Sequence, residues 1–239
     1  VSGKNSSIVL DNVIVEDVEF PIYAEGGSMK ITNSHLTSEF ICDYINVKGG
    51  QAEIKSNFFY GRSAENTDAI DLDNVTNGIV QGNWIYDFSG HNSDGIDIGE
   101  ISENINISGN LIYHSKDKGI SIGQNSTVNI FENIIIGCNT GIAVKDNSTA
   151  DIFNNTFYFN DTTVSCFEKN SGQGGGHVDI VNSIFSTNLE KPVFADAFST
   201  YSVRYSLSDT YSLDGIGNLL MDPQFIDPSI YNLELSPNS

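Results

Sequence analysis

Two short stretches of the sequence place aspartates at matching positions. These stretches are Asp68-Ala69-Ile70-Asp71-Leu72-Asp73 and Asp94-Gly95-Ile96-Asp97-Ile98. Carboxylates that lie close together repel one another unless a cation, a neighbouring lysine or arginine, or a raised pKa removes the repulsion. Ligand sets made only of oxygen favour calcium over zinc, which prefers His and Cys. We therefore predict a calcium site, with a hydrated acidic surface as the alternative, and its ligands would be Asp71, Asp73, Asp94 and Asp97.

Proton transfer is the second chemistry that these stretches could support. Lys118 follows Asp94 at nearly the spacing that separates Asp94 from Asp68. An amine beside carboxylates can act as a general base if some of it is uncharged, although acidic neighbours raise its pKa and work against that role. The enzyme hypothesis therefore takes Lys118 as the proton-abstracting base, with Asp94 and Asp68 completing the catalytic set.

A third group of residues is aromatic or basic and is suited to binding a ligand. Exposed aromatic rings can hold the apolar faces of sugar rings, whereas a long bare apolar stripe would otherwise invite association. The alternative is that the C-terminal part of the chain packs on these rings. The predicted ligand-binding residues are Trp84, Tyr60, Tyr86, Tyr113, His91, His114 and Arg62.

A repeat of 22 to 28 residues determines where all these residues must lie. An apolar residue recurs three positions before an anchor Asn or Ser, and another recurs two positions after it. This period-two alternation predicts strands rather than helices, and repetition at such a period predicts a solenoid. The eight anchors are Asn12, Ser34, Asn57, Asn83, Asn110, Asn133, Asn155 and Ser183.

A further strand in each repeat carries the aspartates. It has the form Ile-x-Ile, as in Ile96-Asp97-Ile98 and Ile120-Ser121-Ile122. Equivalent strands of successive coils would stack in parallel about 4.8 Å apart. This stacking would place Asp71 beside Asp97, and Asp68 beside Asp94, on one outer face. The anchor side chains would satisfy the backbone groups of a turn.

These residues resemble the right-handed parallel β-helix superfamily, whose pectate-lyase-like repeat has the form Gly-Ile-x-Ile followed by Ile-x-x-Asn-x-Ile. The resemblance implies an all-β fold, a single-stranded right-handed parallel β-helix of about eight coils over residues 1–188. Residues 189–239 would form a C-terminal cap packing on the solenoid. The segments Asp222-Pro223-Gln224-Phe225 and Leu235-Ser236-Pro237 are similar to the closing part of secreted bacterial β-helix proteins. That likeness implies a secreted or cell-surface location and further domains in a longer chain.

A second, shorter resemblance concerns Asn66-Thr67-Asp68-Ala69-Ile70-Asp71, which is similar to the Asn-Thr-Asp-Gly-Ile-Asp motif of polygalacturonases. It implies an inverting hydrolase with paired carboxylates, and Asp94 matches one acid of the next coil. Lys118 stands where that family has a histidine.

Composition excludes some partners. The formal net charge of −20 argues against nucleic acid as a partner, and no apolar run approaches the ~20 residues of a membrane span. Three cysteines are too few for a disulfide framework and are predicted to be buried thiols. The leading prediction is a monomeric extracellular or cell-surface module that binds polysaccharide or another glycan. The alternatives are a polysaccharide lyase or glycoside hydrolase with a calcium-assisted acidic site, and a structural stalk or adhesin.

Overall fold

The computed structural model describes residues 6–19, 22–190, 192–237 and 239. The described residues form β-strands and one short 3-10 helix at Pro228–Ile230, with no α-helix among them. The strands in chain order are β1 (Ser7–Asp11), β2 (Ile14–Glu16), β3 (Ile22–Glu25), β4 (Ser28–Thr32), β5 (His35–Thr37), β6 (Ile45–Lys55), β7 (Phe58–Tyr60), β8 (Ile70–Gln81), β9 (Trp84–Tyr86), β10 (Ile96–Gly99), β11 (Glu103–Ser108), β12 (Leu111–Tyr113), β13 (Lys118–Ile122), β14 (Thr127–Phe131), β15 (Ile134–Ile136), β16 (Thr140–Lys145), β17 (Thr149–Phe153), β18 (Thr156–Tyr158), β19 (Thr162–Phe167), β20 (His177–Val181), β21 (Ile184–Ser186), β22 (Val193–Ala195), β23 (Thr200–Arg204), β24 (Leu207–Ser208), β25 (Leu219–Leu220), β26 (Phe225–Asp227) and β27 (Asn232–Leu235).

The strands build three walls of a parallel β-solenoid. The first wall contains β3, β6, β8, β10, β13, β16, β19 and β22, and the second contains β1, β4, β6, β8, β11, β14, β17, β20 and β23. The long strands β6 and β8 continue round the corner between these two walls. The third wall is a separate sheet of β2, β5, β7, β9, β12, β15, β18, β21, β24 and β25. Only β26 and β27 pair antiparallel among the described strands.

The apolar columns predicted from the repeat form the core. Ile107 lies in register with Val80 on one side and Ile130 on the other, and all three are fully buried. Burial of such a column is the main favourable contribution to folding, about 1.5–3 kcal/mol for each large aliphatic side chain. The three cysteines are free and buried, which confirms that prediction.

The predicted register is wrong by one residue in the first coil. Leu10, not Val9, pairs with Ile31, and Val15, not Ile14, pairs with Leu36. A shift of one residue moves every side chain of a strand to the opposite face. Val13 therefore takes the anchor position that was assigned to Asn12, and Val9 and Ile14 are exposed.

The anchor asparagines form a buried ladder along the solenoid. The backbone N–H of Asn83 donates to Oδ1 of Asn110 at 2.9 Å, and its Nδ2 donates to the same oxygen at 3.0 Å. The Asn83 Nδ2 also donates to the carbonyl of Ile54 at 2.9 Å. The same pattern repeats from Asn57 to Asn133, so each coil satisfies the turn of its neighbour.

The solenoid continues beyond residue 188, where the repeat was expected to end. Strands β22, β23 and β24 pair in parallel with β19, β20 and β21, which gives about nine turns instead of eight. Asn218 continues the anchor series, since its Oδ1 accepts the backbone N–H of Ser206 at 2.9 Å. The part that lies outside the repeat is the C-terminal segment, defined here as residues 221–237.

Candidate functional site

The first wall brings the predicted aspartates into register. Asp71 lies opposite Asp97 in the neighbouring strand. Asn46 lies on the other side of Asp71, and Ser121 on the other side of Asp97. Asp73 lies beside Lys48, whose Nζ is 2.6 Å from its Oδ2. The predicted register of Asp71 with Asp97 is therefore present on this wall.

The second aspartate column supports the backbone. Oδ1 of Asp68 accepts the backbone N–H of Asp94 at 2.6 Å, and Oδ1 of Asp94 accepts the backbone N–H of Lys118 at 2.9 Å. Asp43 does the same for Asp68 at 3.0 Å. Burial raises the pKa of Asp68 well above its usual value, and burial raises that of Asp94 to about 6 although Lys118 opposes the rise. These carboxyls accept backbone N–H groups from successive coils, as the side chains of the asparagine ladder do.

Lys118 is held between two carboxylates. Its Nζ lies 3.5 Å from Oδ1 of Asp94 and also contacts Oδ2 of Asp117. Burial alone would lower the pKa of Lys118, but Asp94 and Asp117 raise it overall. The side chain is therefore a paired ammonium in this arrangement, and this charge state opposes the role of base that the sequence suggested.

The repulsion around Asp71 is relieved by protein groups. Asn46 Nδ2 donates to Oδ2 of Asp71 at 2.6 Å. Burial, followed by the charges of Asp73 and Asp97, raises the pKa of Asp71 to about 8. Within the described ranges, no three His, Cys, Asp or Glu side chains are grouped so that they could hold a metal ion. The calcium site stays a prediction, and protonation of Asp71 is the alternative to it.

The raised pKa of Asp71 predicts how stability depends on pH. In the folded protein this pKa is about 8, against a reference value of 3.8, so between these values the native state binds the extra proton. Stability should then fall as pH rises from about 4 to about 8. We expect a lower melting temperature at pH 8 than at pH 5.5. Asp71→Asn should reduce this dependence to the part that the raised pKa values of Asp68 and Asp94 contribute. Asp151→Asn, at an exposed position on the second wall, should leave the dependence unchanged.

Bound calcium would make stability increase with pH instead of decrease, because calcium binds the ionised carboxyls. If the ion lies between Asp71 and Asp97, added calcium should raise the melting temperature most at high pH, and EDTA should remove that gain. The double variant Asp71→Asn with Asp97→Asn should not respond to calcium. Identical melting curves with calcium and with EDTA would contradict the calcium prediction.

Lys145 is a residue of the first wall that sequence reasoning missed. It is only 5% exposed, and its Nζ donates to Oγ of the buried Ser121 at 2.8 Å. It has no ion-pair partner in the part of the chain that the structure describes, and burial lowers its pKa. A Cβ at Gly123 would lie 3.5 Å from Cε of Lys145. That separation is an ordinary van der Waals contact, so Gly123 does not mark the position of the lysine, and no signal in the sequence predicted its burial.

The third wall brings the predicted aromatic residues together. Phe58 and Trp84 are in register, and so are Tyr60, Tyr86 and Tyr113. The ring centroids of Phe58 and Tyr86 are 5.4 Å apart, and those of Tyr86 and Tyr113 are 5.7 Å apart. Trp84 is 53% exposed and Tyr60 is 50% exposed. We call this surface the aromatic platform, and it consists of His35, Phe58, Tyr60, Trp84, Tyr86 and Tyr113.

A groove of about 620 Å³ adjoins the platform towards the N-terminal coils. Its walls include the rings of His35, Phe58 and Trp84, and the polar side chains of Asn33 and Ser56. The His35 and Phe58 ring centroids are 4.9 Å apart, so the rings continue into the groove. Aromatic rings with a few polar groups beside them are typical of small-ligand sites.

The C-terminal segment covers the other end of the platform. The hydroxyl groups of Tyr231 and Tyr113 are 3.3 Å apart, and their ring centroids are 5.2 Å apart. Tyr158, further along the wall, contacts both Tyr231 and Phe225. The predicted packing of the C-terminal part is therefore present at Tyr113 and Tyr158. Tyr60 and Trp84 stay exposed, and ligand binding by them stays a prediction.

The predicted basic residues are dispersed. His114 stacks on Tyr113 with ring centroids 3.7 Å apart, and its Nδ1 lies 3.5 Å from Oδ1 of Asp87. Arg62 pairs with Glu39, and His91 is an exposed turn residue whose carbonyl accepts the N–H of Asn66. Of these three, His114 is the one that contacts the platform in the described structure.

The sequence matches the family described as "Right handed beta helix region" over residues 43–206, and the chain belongs to this family. The fold is similar to a double mutant of the periplasmic alginate epimerase AlgG, with a TM-score of 0.73, 15% identity, and coverage of 90% of this chain and 51% of that chain. A single mutant of AlgG gives a TM-score of 0.57, 14% identity, and coverage of 90% and 49%. The chain thus spans about half the length of these structures, and the likeness concerns the fold.

No curated protein matches the sequence. Among the residues that the structure describes, none belongs to a helix of the length and apolar character needed to cross a membrane.

Proposed function

We propose that this protein is a polysaccharide-binding module, secreted or at the cell surface, whose ligand lies along the aromatic platform. The observation that carries the proposal is the pair of half-exposed rings, Trp84 and Tyr60, with the stacked rings of Phe58 and Tyr86 beside them on the same face. Rigid aromatic rings bury large contact areas at low entropic cost. The coils advance by about 4.8 Å, a step close to the length of one sugar unit in an extended chain.

Charge favours an uncharged glycan over an acidic one. The chain carries a formal net charge of −20, which repels polyanions at long range. Close to the platform, burial and the carboxylate of Asp87 together raise the pKa of Tyr86. The two AlgG structures are of a periplasmic alginate epimerase, and this supports polysaccharide as the class of ligand and a location outside the cytoplasm. The acidic surface then favours neutral chains within that class.

A glycan array that holds both neutral and uronate polysaccharides tests this proposal. We expect binding to neutral chains, and Trp84→Ala should weaken it roughly 30-fold, because a bound glycan would cover this ring and make it an aromatic hot spot. Phe194→Ala is the matched control, because Phe194 is an equally exposed ring on the first wall. If the wild type binds no glycan on the array, the proposal fails, and the structural stalk and catalysis on the first wall are the remaining interpretations.

Lys145 favours catalysis on the first wall as a second candidate function. A buried amine with lowered pKa and no carboxylate partner in the described structure is better suited to accept a proton than the paired Lys118. The reaction class would be a lyase or hydrolase reaction on polysaccharide. Turnover on uronate or neutral polymers that is lost in Lys145→Ala, and kept in Lys118→Ala, would support this candidate. No turnover on either polymer class would exclude it.

A further inference from the structure

The outward column of residues on the third wall continues beyond the aromatic platform. In register, Tyr60, Tyr86 and Tyr113 are followed by Ile136 and then Tyr158. These positions all face outward from the solenoid, yet Ile136 is buried. The solenoid alone would therefore present an apolar track over five coils. The C-terminal segment crosses this track between Tyr113 and Tyr158.

Tyr231 is the residue of the C-terminal segment that contacts the rings on both sides of the crossing. Its ring centroid is 5.2 Å from that of Tyr113 and 6.2 Å from that of Tyr158, and both contacts are edge-to-face. The neighbouring Phe225 adds a second edge-to-face contact with Tyr158, at 6.1 Å. Such pairs contribute about 0.5–1.5 kcal/mol beyond burial of area. The crossing is therefore a specific contact between rings.

The backbone around Tyr231 holds the ring in a defined position. Oδ1 of Asp227 accepts the N–H of Ser229, and Pro228 begins the 3-10 helix. Tyr231 then closes the turn in a left-handed conformation, with φ of 58°, and its N–H donates to the carbonyl of Pro228. The antiparallel pair β26 and β27 joins the two sides of this turn.

We propose that Tyr231 is a specificity-determining residue that ends the glycan track at the coil of Tyr113. The inference rests on the proposed function and adds a limit on ligand length. The site is open at its other end, where His35, Phe58 and Trp84 border the groove. A neutral oligosaccharide fills the platform from the groove to Tyr113, and Tyr231 blocks further sugar units from reaching Tyr158.

Calorimetric titration with β-1,4-linked gluco-, manno- and xylo-oligosaccharides of increasing length tests the limit. For the wild type we expect affinity to rise with length and then to level off. Tyr231→Gly removes the ring and suits the left-handed backbone, so the longest chains should then bind about fivefold more tightly. Tyr231→Phe keeps the ring, so its affinity should level off at the same oligosaccharide length as that of the wild type.

A double variant identifies which residue provides the extra affinity of Tyr231→Gly for long chains. Tyr158 is the next ring on the uncovered track, so Tyr231→Gly with Tyr158→Ala should lose the extra affinity for long chains. Circular dichroism and melting curves establish that each variant is folded. If the affinity of Tyr231→Gly levels off at the wild-type length while Trp84→Ala weakens binding as expected, Tyr231 only packs on the solenoid and the inference is overturned. If the wild type binds none of the chains, the proposed function fails together with it.

Discussion

Ile130→Asp should leave the protein unfolded at room temperature, and Ile107→Asp should do the same. Both side chains are fully buried in one column, where Ile130 lies between Ile107 and Ile152. A carboxylate there would be far from water and would have no partner, which costs several kcal/mol on top of the lost apolar contacts. Domains are stable by only about 5–15 kcal/mol. Circular dichroism should show loss of the β-sheet signal.

Ile134→Asp is the matched control for this prediction. Ile134 lies only four residues from Ile130, but it faces outward on the third wall and is 37% exposed. A carboxylate at that position remains hydrated, and we expect the variant to fold. A folded Ile130→Asp protein with the wild-type melting temperature would contradict the assignment of this column to the interior.

Asn110→Ala should lower the melting temperature by roughly 10 °C or more. The Asn110 side chain accepts two hydrogen bonds from Asn83, through its backbone N–H and its Nδ2. It donates to the carbonyl of Val80 and to Oδ1 of Asn133. Alanine leaves these buried groups unsatisfied, and each costs about 1–3 kcal/mol. Differential scanning calorimetry measures the loss.

Asn110→Ser separates the hydrogen bonds from the volume of the side chain. Serine occupies the same position at Ser34 and Ser183, where its hydroxyl accepts the N–H of the preceding coil. We expect the serine variant to fall between alanine and the wild type in melting temperature. Equal losses for serine and alanine would show that the ladder contributes little and that packing alone accounts for the effect.

The solenoid could be predicted from the sequence because the same apolar pattern recurs in many coils. A column such as Val80, Ile107 and Ile130 remains visible even where single coils deviate. The first coil could not be placed correctly, since Val9 and Leu10 are both apolar and only pairing with β4 distinguishes them. The ninth turn escaped detection because Val203 lies among serine, tyrosine and arginine residues. In addition, Ser208 takes the place of the second apolar residue, in register with Phe185.

The candidate sites were predictable only in part. Register alone places Asp71 beside Asp97 and Tyr60 beside Tyr86. It does not reveal that Lys118 is paired and Lys145 is not, because a lysine side chain is long enough to reach either neighbouring coil. Nor does it show where the C-terminal segment crosses, since the contact between Tyr113 and Tyr231 joins residues 118 positions apart.

The asparagine ladder has a direction, and this affects how the two ends of the rod open. Each coil from Asn57 to Asn155 has its backbone N–H satisfied by the coil that follows, and its amide reaches back to the carbonyl of the coil before. At the C-terminal end the series continues through Ser206 to Asn218. At the N-terminal end it stops, because Val13 donates to Ser34 but has no side-chain amide with which to reach back. Since repeats are stabilised mainly by their neighbours, amide exchange should be fastest in the first coil and should slow towards the middle of the rod.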